Sequence, residues 1–284
     1  MPSIAIVTDT YASLPADLAD LYSIRQVPIA VHFGETTYLT GSDIDNASLF
    51  ERVDADGALP TTSAPTPGDF LKAFQAAFDG GADEVVCLCV NSRISTTYDA
   101  ARIAREVLFD REISVVDNQN ISVGQGFMAM EAAEAAEQGA SREEIIGRAR
   151  DVGSRVSIYA AVSTLKYLAM SGRIGHLTAG LVDLLSIRPI LTLRDGQLHM
   201  VERVRTQPKA LSRVIQLAAA AVGGGTPERL AIIHVDALDD ARRFEEQLRA
   251  ELDWTETIIS AELTPGLYVH TGPGLVGVAL VTAS

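Results

Sequence analysis

The first half of the chain alternates between short aliphatic runs and longer stretches with helical periodicity. Ile4–Thr8, Glu84–Val90 and Ile113–Val116 are apolar without a two-residue alternation, which predicts strands buried on both faces of a sheet. Helices are predicted between them, over Pro67–Phe78 and Thr96–Leu108. Strands that alternate with helices in this way form a parallel sheet with right-handed crossovers and helices on its faces.

Shorter signals complete this half of the chain. Ile24–Phe33 is predicted as one strand that then turns into a small hairpin, and Pro60–Pro67 as a loop that three prolines stiffen. Thr66 stands at a helix N-cap, and Ser141 opens another helix, with Glu144 three residues later as a capping box. The other predicted helices are Pro15–Tyr22, Ala47–Val53, Ser122–Glu137 and Ser141–Gly153.

A second unit is predicted to begin near Val156. In it, Asp195-Gly196 separates Ile190–Leu193 from Gln197–Val204, which predicts a hairpin. We therefore expect two α/β domains, residues 1–155 with a mainly parallel sheet and residues 156–284 with a mixed sheet. The remaining predicted strands are Val156–Val162, Leu230–Val235, Glu256–Glu262 and Val276–Val281, and the remaining helices are Thr164–Met170, Leu177–Leu185, Pro208–Val222 and Leu238–Leu252.

Composition narrows the classes of function. Nearly half of the 284 residues are hydrophobic, and a net charge of −14 argues against binding of nucleic acid or adhesion to anionic lipid. Cys87 and Cys89 are the only cysteines, and on one strand face they are expected to pack as small buried hydrophobes rather than to form a disulfide or a metal site. Because neither a signal peptide nor a long apolar span is recognisable, we expect a cytoplasmic protein without stable membrane insertion.

Three loops carry residues suited to binding a ligand, Thr61–Ser63, Ser92–Thr97 and His270–Gly274. Each is expected at the end of a strand, and open α/β sheets bind ligands at the carboxyl ends of their strands. Hydroxyls from two loops and one imidazole would surround a carboxylate with hydrogen-bond donors. The alternative for each hydroxyl is ordinary capping and turn formation, and His270 fits a buried histidine bonded to the backbone equally well. The other histidines are scattered and suggest no metal site.

The loop that follows Val90 is the most informative of the three. It ends a strand in hydroxyls and then opens a helix, so that free N–H groups, hydroxyls and the helix dipole all favour an anion. The loop contains no lysine, and the chain contains no Gly-x-x-x-x-Gly-Lys sequence. A small, singly charged group such as a carboxylate therefore fits better than a triphosphate.

An esterase or a phosphatase is the alternative function. Ser92, His270 and Asp9 could form a Ser-His-Asp triad, but the Gly-x-Ser-x-Gly sequence that often carries such a serine is absent. An aspartyl phosphatase would start at Asp9, yet Tyr11 stands where its second acid is usual. The pattern better fits an Asp9 that organises loops through hydrogen bonds to the backbone.

Basic residues concentrate between Lys166 and Lys209. This stretch holds seven basic and three acidic residues in a chain that is otherwise strongly acidic. One interpretation is a solvated face, and the other is a docking patch for a partner protein or its nucleotide. The basic residues are Lys166, Arg173, Arg188, Arg194, Arg203, Arg205 and Lys209.

Six segments occur in a distinctive order along the chain. They are Thr8-Asp9-Thr10, Thr62-Ser63-Ala64-Pro65-Thr66-Pro67, Asn91-Ser92-Arg93-Ile94-Ser95-Thr96-Thr97-Tyr98, Ser171-Gly172-Arg173-Ile174, Ile187-Arg188-Pro189-Ile190-Leu191 and His270-Thr271-Gly272-Pro273-Gly274. Each segment is weak alone, but the six in order over essentially the whole chain are specific. Together they resemble the DegV family, the fatty-acid-binding subunits of bacterial fatty acid kinase.

The resemblance implies a two-domain α/β protein that holds a fatty acid between its domains, the second domain closing over the acyl chain. By motif position, the carboxylate would be held by Thr62 and Ser63, by Ser92 and Ser95, and by His270. A dry apolar slot would contribute roughly 0.8 kcal/mol for each buried methylene. The resemblance further implies a carrier with no catalytic residue, cofactor or metal of its own. It would present a long-chain fatty acid to a separate ATP-dependent kinase subunit and carry the acyl phosphate to an acyltransferase of phospholipid synthesis.

This sequence departs from the family pattern in the serine loop, where Ser-Ser-Gly-Leu-Ser-Gly-Thr-Tyr is usual. Asn91, Arg93 and Thr96 replace a serine and two glycines, which restricts the backbone and places Arg93 and Thr96 at the mouth of the pocket. Ala64 stands where the family often has glutamine. Arg173, in a Gly-Arg turn, is the residue that we expect to contact the kinase subunit.

Overall fold

The structure, a computed structural model, describes residues 2–57, 59–173 and 187–283. It contains two compact units, one formed by the residues up to Ser154 together with Thr264–Gly266, and the other by Arg155–Leu263 and the residues from Leu267 onward. The helix predicted over Leu177–Leu185 lies outside the described residues.

The part of the first unit that the structure describes is built from two sheets and six α-helices. Its strands are β1 (Ile4–Asp9), β2 (Arg25–Val27), β3 (Ala30–Phe33), β4 (Thr36–Leu39), β5 (Thr61–Ser63), β6 (Glu84–Cys89) and β7 (Glu112–Asp117). Its helices are α1 (Ala16–Leu21), α2 (Asn46–Asp56), α3 (Pro67–Asp79), α4 (Thr97–Val107), α5 (Val123–Glu137) and α6 (Arg142–Arg155), with a short 3-10 helix over Thr10–Ala12.

A parallel four-stranded sheet in the order β2-β1-β6-β7 forms the centre of this unit. The two central strands, β1 and β6, are largely aliphatic runs because residues on both of their faces are buried. On one face, Phe70 and Phe74 of α3 and Ala101 of α4 belong to the same buried cluster as Cys87 and Cys89. Both cysteines are free thiols with no exposed surface, which confirms the prediction that they are core residues.

The prediction of one strand over Ile24–Phe33 is wrong. The chain leaves the parallel sheet after β2 and enters β3, which belongs to a separate antiparallel sheet in the order β4-β3-β5. Pro28 separates the two strands and has no backbone N–H to donate to a ladder. The next N–H, that of Ile29, donates instead to the hydroxyls of Thr10 and Thr40, at 2.9 and 3.1 Å.

The prediction that Pro60–Pro67 is only a loop is also wrong. Thr61–Ser63 forms β5, which pairs antiparallel with β3 and sets Thr62 opposite Val31. Threonines favour such a half-exposed edge strand, and the three surrounding prolines concealed this preference. Thr66 then caps α3 as predicted, with Asp69 completing a capping box.

The described residues of the second unit form one sheet. Its strands lie in the order β10-β9-β8-β13-β11-β12, with the last pair parallel and the other pairs antiparallel, so the prediction of a mixed sheet is confirmed. Val214, Phe244 and Val278 share one buried cluster of this unit. The strands are β8 (Val156–Ala161), β9 (Arg188–Arg194), β10 (Gln197–Val204), β11 (Pro227–Val235), β12 (Ile259–Glu262) and β13 (Leu275–Thr282), and the helices are α7 (Lys166–Met170), α8 (Gln207–Val222), α9 (Leu238–Leu252) and α10 (Pro265–Thr271).

The segment His270–Gly274 is not a loop throughout. His270 and Thr271 are the last two residues of α10, and only Gly272–Gly274 turns the chain into β13. Pro265 suits the first turn of a helix, and Gly272, with φ of +71°, suits its end. The apolar residues between them therefore belong to a short helix that the sequence analysis did not predict.

Candidate functional site

The strand order of the first sheet creates a crevice at the carboxyl ends of β1 and β6. From β1 the sheet continues to β2 on one side and to β6 and β7 on the other, so the order reverses between β1 and β6. Ligands of open α/β sheets bind outside the carboxyl ends of the strands at such a switch point. Asp9 ends β1 and the loop from Asn91 to Thr96 follows β6, so both lie beside this crevice.

Asp9 is an anchor for this part of the structure. Its carboxylate has no exposed surface and accepts the N–H of Val90 at 2.8 Å and the N–H of Tyr11 at 3.0 Å. Burial raises the pKa of the carboxyl to about 6, and the hydrogen bonds from Val90, Gln125 and Tyr11 limit that rise. With both oxygens accepting from the protein, Asp9 is placed to fix the start of the loop rather than to attack a substrate.

Asn91 shapes the first turn of the serine loop. Its side-chain oxygen accepts the N–H of Arg93 at 3.0 Å, and its backbone carbonyl accepts the N–H of Ile94 at 3.2 Å. An asparagine favours such a turn through its own side chain. The family usually has glycine at the positions of Arg93 and Thr96. Glycine is required only where φ is positive, and here Thr96 has φ of −83° and Arg93 does not have a positive φ. The departures from the family pattern therefore leave the loop unstrained.

Ser95 and Thr97 form a hydroxyl pair at the start of α4. Their oxygens are 2.7 Å apart, and Ser95 Oγ also accepts the N–H of Thr97 at 3.3 Å. Thr97 is completely buried and Ser95 is half-buried. When Thr97 donates to Ser95, the hydroxyl proton of Ser95 is left to donate outward. Thr97 lies within the predicted loop Ser92–Thr97 but was not among the predicted carboxylate ligands, and the Ser-x-Thr sequence before a helix is the signal that points to it.

Two backbone donors lie next to this hydroxyl along the chain. The N–H groups of Ser95 and Thr96 donate to no other described residue. They precede α4, an eleven-residue helix whose dipole favours negative charge at this end. Two N–H groups and one hydroxyl at a helix N-terminus form a neutral donor set that can bind one carboxylate.

Ser92 lies in the same loop, but both its hydroxyl and its backbone N–H donate to another side chain of the protein. Its hydroxyl donates to Asp117 at 2.5 Å, and its N–H donates to the same carboxylate at 3.1 Å. A ligand carboxylate at Ser92 would therefore meet a negative neighbour and no spare hydroxyl proton. The contact of Ser92 with an aspartate rather than a histidine also gives no support to the esterase alternative.

Thr62 and Ser63 are successive residues of β5, so their side chains point to opposite faces of the small sheet. Ser63 Oγ lies 2.9 Å from His32 Nε2, and His32 Nδ1 lies 2.9 Å from the hydroxyl of Thr37. His32 thus links the hydroxyls of Ser63 and Thr37 on one face. The two predicted hydroxyls cannot act as a pair on one carboxylate through that face.

His270 belongs to the second unit. It is 8 % exposed near the end of α10. Burial, together with the positive charge of Arg173, lowers the pKa of the imidazole to about 4. At neutral pH, His270 is therefore an uncharged imidazole that can donate one N–H.

The Gly-Pro-Gly turn after His270 is held by its own unit. Gly274 N–H donates to the carbonyl of Val235 at 2.8 Å, and Ser163 donates to the carbonyl of Pro273 at 2.8 Å. Because β13 runs antiparallel to β11, this turn lies at the carboxyl end of β11. A Cβ atom on Gly272 would come within 2.2 Å of the Tyr167 ring. The glycine thus permits close packing against the protein itself.

The basic residues between Lys166 and Lys209 differ in exposure, since Arg188 is half-buried and the others are exposed. Arg188 donates to the carbonyl of Ser163 at 3.0 Å, a contact that joins β9 to the segment after β8. Arg173 is exposed and donates to the carbonyl of Ser171 at 2.5 Å. The other exposed basic residues of this stretch are Lys166, Arg194, Arg203, Arg205 and Lys209.

The described part of the chain offers neither a cluster of metal ligands nor a membrane-spanning helix. Among these residues, the histidines, cysteines and acidic side chains form no group of three or more that could hold a metal ion. None of the helices described there is long and apolar enough to cross a lipid bilayer.

Comparisons with known proteins agree with the fold and the motifs. The family model described as "Uncharacterised protein, DegV family" matches residues 3–283. A DegV domain-containing protein of Streptomyces coelicolor is 35% identical over 278 residues, which cover 98% of each chain.

Two solved structures extend this similarity. A DegV family protein from Thermus thermophilus, described for its fatty acid binding, is 30% identical and has a TM-score of 0.90 over 100% of both chains. DegV of Bacillus subtilis, described as a fatty acid binding protein, is 29% identical, with a TM-score of 0.90 over 100% of both chains.

Proposed function

Because the chain belongs to the DegV family, we propose that it binds a long-chain fatty acid and holds the carboxylate at the serine loop. The observation that carries the proposal is the Ser95 hydroxyl, which lies 2.7 Å from that of Thr97 at the start of α4, together with the N–H groups of Ser95 and Thr96, which donate to no other described residue. This donor set lies at the switch point of the sheet and is uncharged, which suits a single carboxylate. The descriptions of the relatives from T. thermophilus and B. subtilis as fatty-acid-binding support the choice of ligand.

The other predicted site residues of the first unit differ in how far they can contribute to binding of the carboxylate. Ser92 can donate to the ligand only after its hydroxyl leaves Asp117, so its contribution is smaller than that of Ser95. Of Thr62 and Ser63, which point to opposite faces, only one side chain serves the ligand. Ser63 contacts His32, so a ligand carboxylate at Ser63 would have to replace that hydrogen bond.

His270, Arg93 and Thr96 complete the set. We assign His270 as a neutral donor, since its lowered pKa keeps the ring uncharged at neutral pH. Arg93 and Thr96 are exposed residues of the serine loop. Arg93 attracts the carboxylate toward the loop by its charge, and Thr96 contributes its backbone N–H.

The same proposal includes transfer of the bound acid. The protein presents the fatty acid to a separate ATP-dependent kinase subunit and carries the acyl phosphate to an acyltransferase of phospholipid synthesis, without catalysing either reaction. The burial of Asp9 and the engagement of Ser92 by Asp117 support a carrier over a hydrolase. Exposed Arg173 is assigned to the contact with the kinase subunit.

The ligand is tested by extraction and titration. Purified protein, denatured and extracted, is expected to release a long-chain fatty acid detectable by mass spectrometry. After removal of lipid, Ser95→Ala should weaken binding of a fluorescent fatty acid by about tenfold, because it removes a hydrogen bond to a charged group. Ser212→Ala, an exposed serine of α8, is the matched control and should bind normally. An extract containing only buffer components would refute the choice of ligand.

The transfer role needs a separate assay. With a fatty acid kinase catalytic subunit and ATP, the loaded protein should yield acyl phosphate, and Arg173→Ala should reduce the rate while fatty acid affinity stays unchanged. Arg242→Ala, an exposed arginine of α9, is the control. Normal phosphorylation by Arg173→Ala would remove Arg173 from the docking contact. Turnover of generic ester or phosphate substrates by the protein alone would favour the hydrolase instead.

A further inference from the structure

A groove of about 590 Å³ runs along the free edge of the first sheet. Its floor is β7, the last strand in the order β2-β1-β6-β7, so one side of this strand has no strand neighbour among the described residues. Helices α4 and α6 form the two walls. Polar residues of the walls are Tyr98, Arg102 and Arg105 from α4, and Glu143 and Arg150 from α6.

The backbone of β7 presents unused hydrogen-bonding groups to this groove. Asn118 N–H donates to the carbonyl of Cys89 at 3.1 Å, which assigns the even-numbered positions of β7 to the ladder with β6. In a parallel ladder, the alternate residues point their N–H and C=O groups to the other side. Arg105 Nε confirms this direction, because it donates to the carbonyl of Ile113 at 3.0 Å. Val115, two residues further on, therefore offers both an N–H and a C=O to the groove.

The walls carry three arginines and one glutamate, Glu143, which itself reaches Arg142 at 3.9 Å. Arg150 is exposed, and neither it nor Arg105 forms an ion pair with a described residue. Arg102 reaches Asp99 at 3.9 Å and Glu106 at 3.8 Å, and such exposed pairs contribute little. In a chain with a net charge of −14, three arginines around one strand edge form a local patch suited to an acidic partner.

We propose that this groove docks an extended acidic segment of a partner protein, which adds to β7 as a further strand. Backbone hydrogen bonds to Val115 give affinity, and carboxylates against Arg102, Arg105 and Arg150 give specificity. A second copy of this chain is a poor occupant, since pairing β7 with another β7 would bring arginines against arginines. The same charges protect an exposed edge from self-association.

A synthetic peptide that alternates glutamate and valine is the probe, with fluorescence anisotropy as the readout on the full chain. Arg102→Glu combined with Arg150→Glu should weaken binding by at least about tenfold. Arg242→Glu combined with Arg243→Glu makes the same change of charge on α9 and should leave binding unchanged. Thermal melting of both variants establishes that they are folded. Equal loss of binding in the two variants would overturn the proposal, because it would mean a non-specific effect of net charge.

Strand addition is tested apart from charge. Methylation of every second amide nitrogen of the peptide, on the edge that would face β7, should abolish binding although all glutamates remain. Hydrogen exchange should show protection of the Val115 amide only with the unmodified peptide. Equal binding of the methylated peptide, or displacement by inorganic phosphate at concentrations similar to the peptide's, would replace the proposal with a simple anion pocket.

Discussion

The carboxylate of Asp9 accepts the backbone N–H of Val90 across the crevice of the first sheet, at 2.8 Å. This hydrogen bond ties the last residue of β1 to the residue that precedes the serine loop. The second oxygen of Asp9 holds the N–H of Tyr11, so the side chain fixes two loop entries at once. The position of Ser95 therefore depends on a residue that has no exposed surface and makes no contact with solvent.

Replacement of Asp9 by asparagine tests this anchoring role. The amide keeps one acceptor, but its NH₂ group then faces the N–H of Val90 or of Tyr11, and two donors cannot bond. We expect the free energy of unfolding at pH 7 to fall by about 1–3 kcal/mol, and fatty acid affinity to fall with it. Urea denaturation and fatty acid titration measure the two effects. Unchanged affinity in a folded Asp9→Asn variant would show that the loop does not need this anchor.

The raised pKa of Asp9 adds a dependence on pH. Between pH 3.8 and about 6 the folded protein keeps a proton on Asp9 that the unfolded chain has lost. Stability contributed by this group is thus present at low pH and is lost as the pH rises through that window. The destabilisation by Asp9→Asn should therefore be larger at pH 4 than at pH 7, by about 2 kcal/mol. If the difference in stability between the wild type and Asp9→Asn does not vary with pH, Asp9 is not the group that titrates in this range.

The sequence predicted three strands of the parallel sheet and a loop between β6 and α4, because aliphatic runs and helix starts are local signals, but it did not predict the strand order. It did not predict β5 or the break at Pro28, since these depend on partners elsewhere in the chain. The same holds for the site. Ser92 and Asp117 are 25 residues apart and meet only because β6 and β7 are adjacent in the sheet.

His270 should influence stability in the opposite direction from Asp9. Its folded pKa of about 4 is lower than the unfolded value of 6.5, so the unfolded chain binds the proton first as the pH falls. Stability from the neutral ring is complete above pH 6.5 and is lost progressively toward pH 4. Between pH 7 and pH 5 the loss attributable to His270 is about 2 kcal/mol. His270→Gln should remove that part of the acid sensitivity in urea denaturation, and an identical pH profile would contradict it.

Gly272 is required by packing as well as by conformation. Its φ is +71°, and a Cβ atom there would lie 2.2 Å from the ring of Tyr167. Gly224 has φ of +85° with nothing within 4 Å of the same position, so Gly224→Ala is the matched control for backbone strain. We expect Gly272→Ala to lower the free energy of unfolding by at least about 1 kcal/mol more than Gly224→Ala does. If thermal or urea unfolding shows the same loss of stability for both variants, the ring of Tyr167 moves away from the new Cβ atom without an energetic penalty.

The hydroxyl pair at the start of α4 yields the sharpest test of the site. Thr97 is buried, and its hydroxyl lies 2.7 Å from Ser95 Oγ, so Thr97 orients Ser95 rather than touching the ligand. Thr97→Val keeps the shape of the side chain and removes that hydrogen bond. The fatty acid affinity should fall severalfold, less than in Ser95→Ala, because the Ser95 hydroxyl survives without its orienting partner.

The double variant separates this role from a direct one. If Thr97 acts only through Ser95, adding Thr97→Val to Ser95→Ala should cost no further affinity, and the double-mutant cycle should show a coupling equal to the whole effect of Thr97→Val. Additive losses would instead mean that Thr97 contacts the carboxylate itself. Circular dichroism and unfolding curves of all three variants serve as controls, since a buried polar-to-apolar change of this size should leave the fold intact.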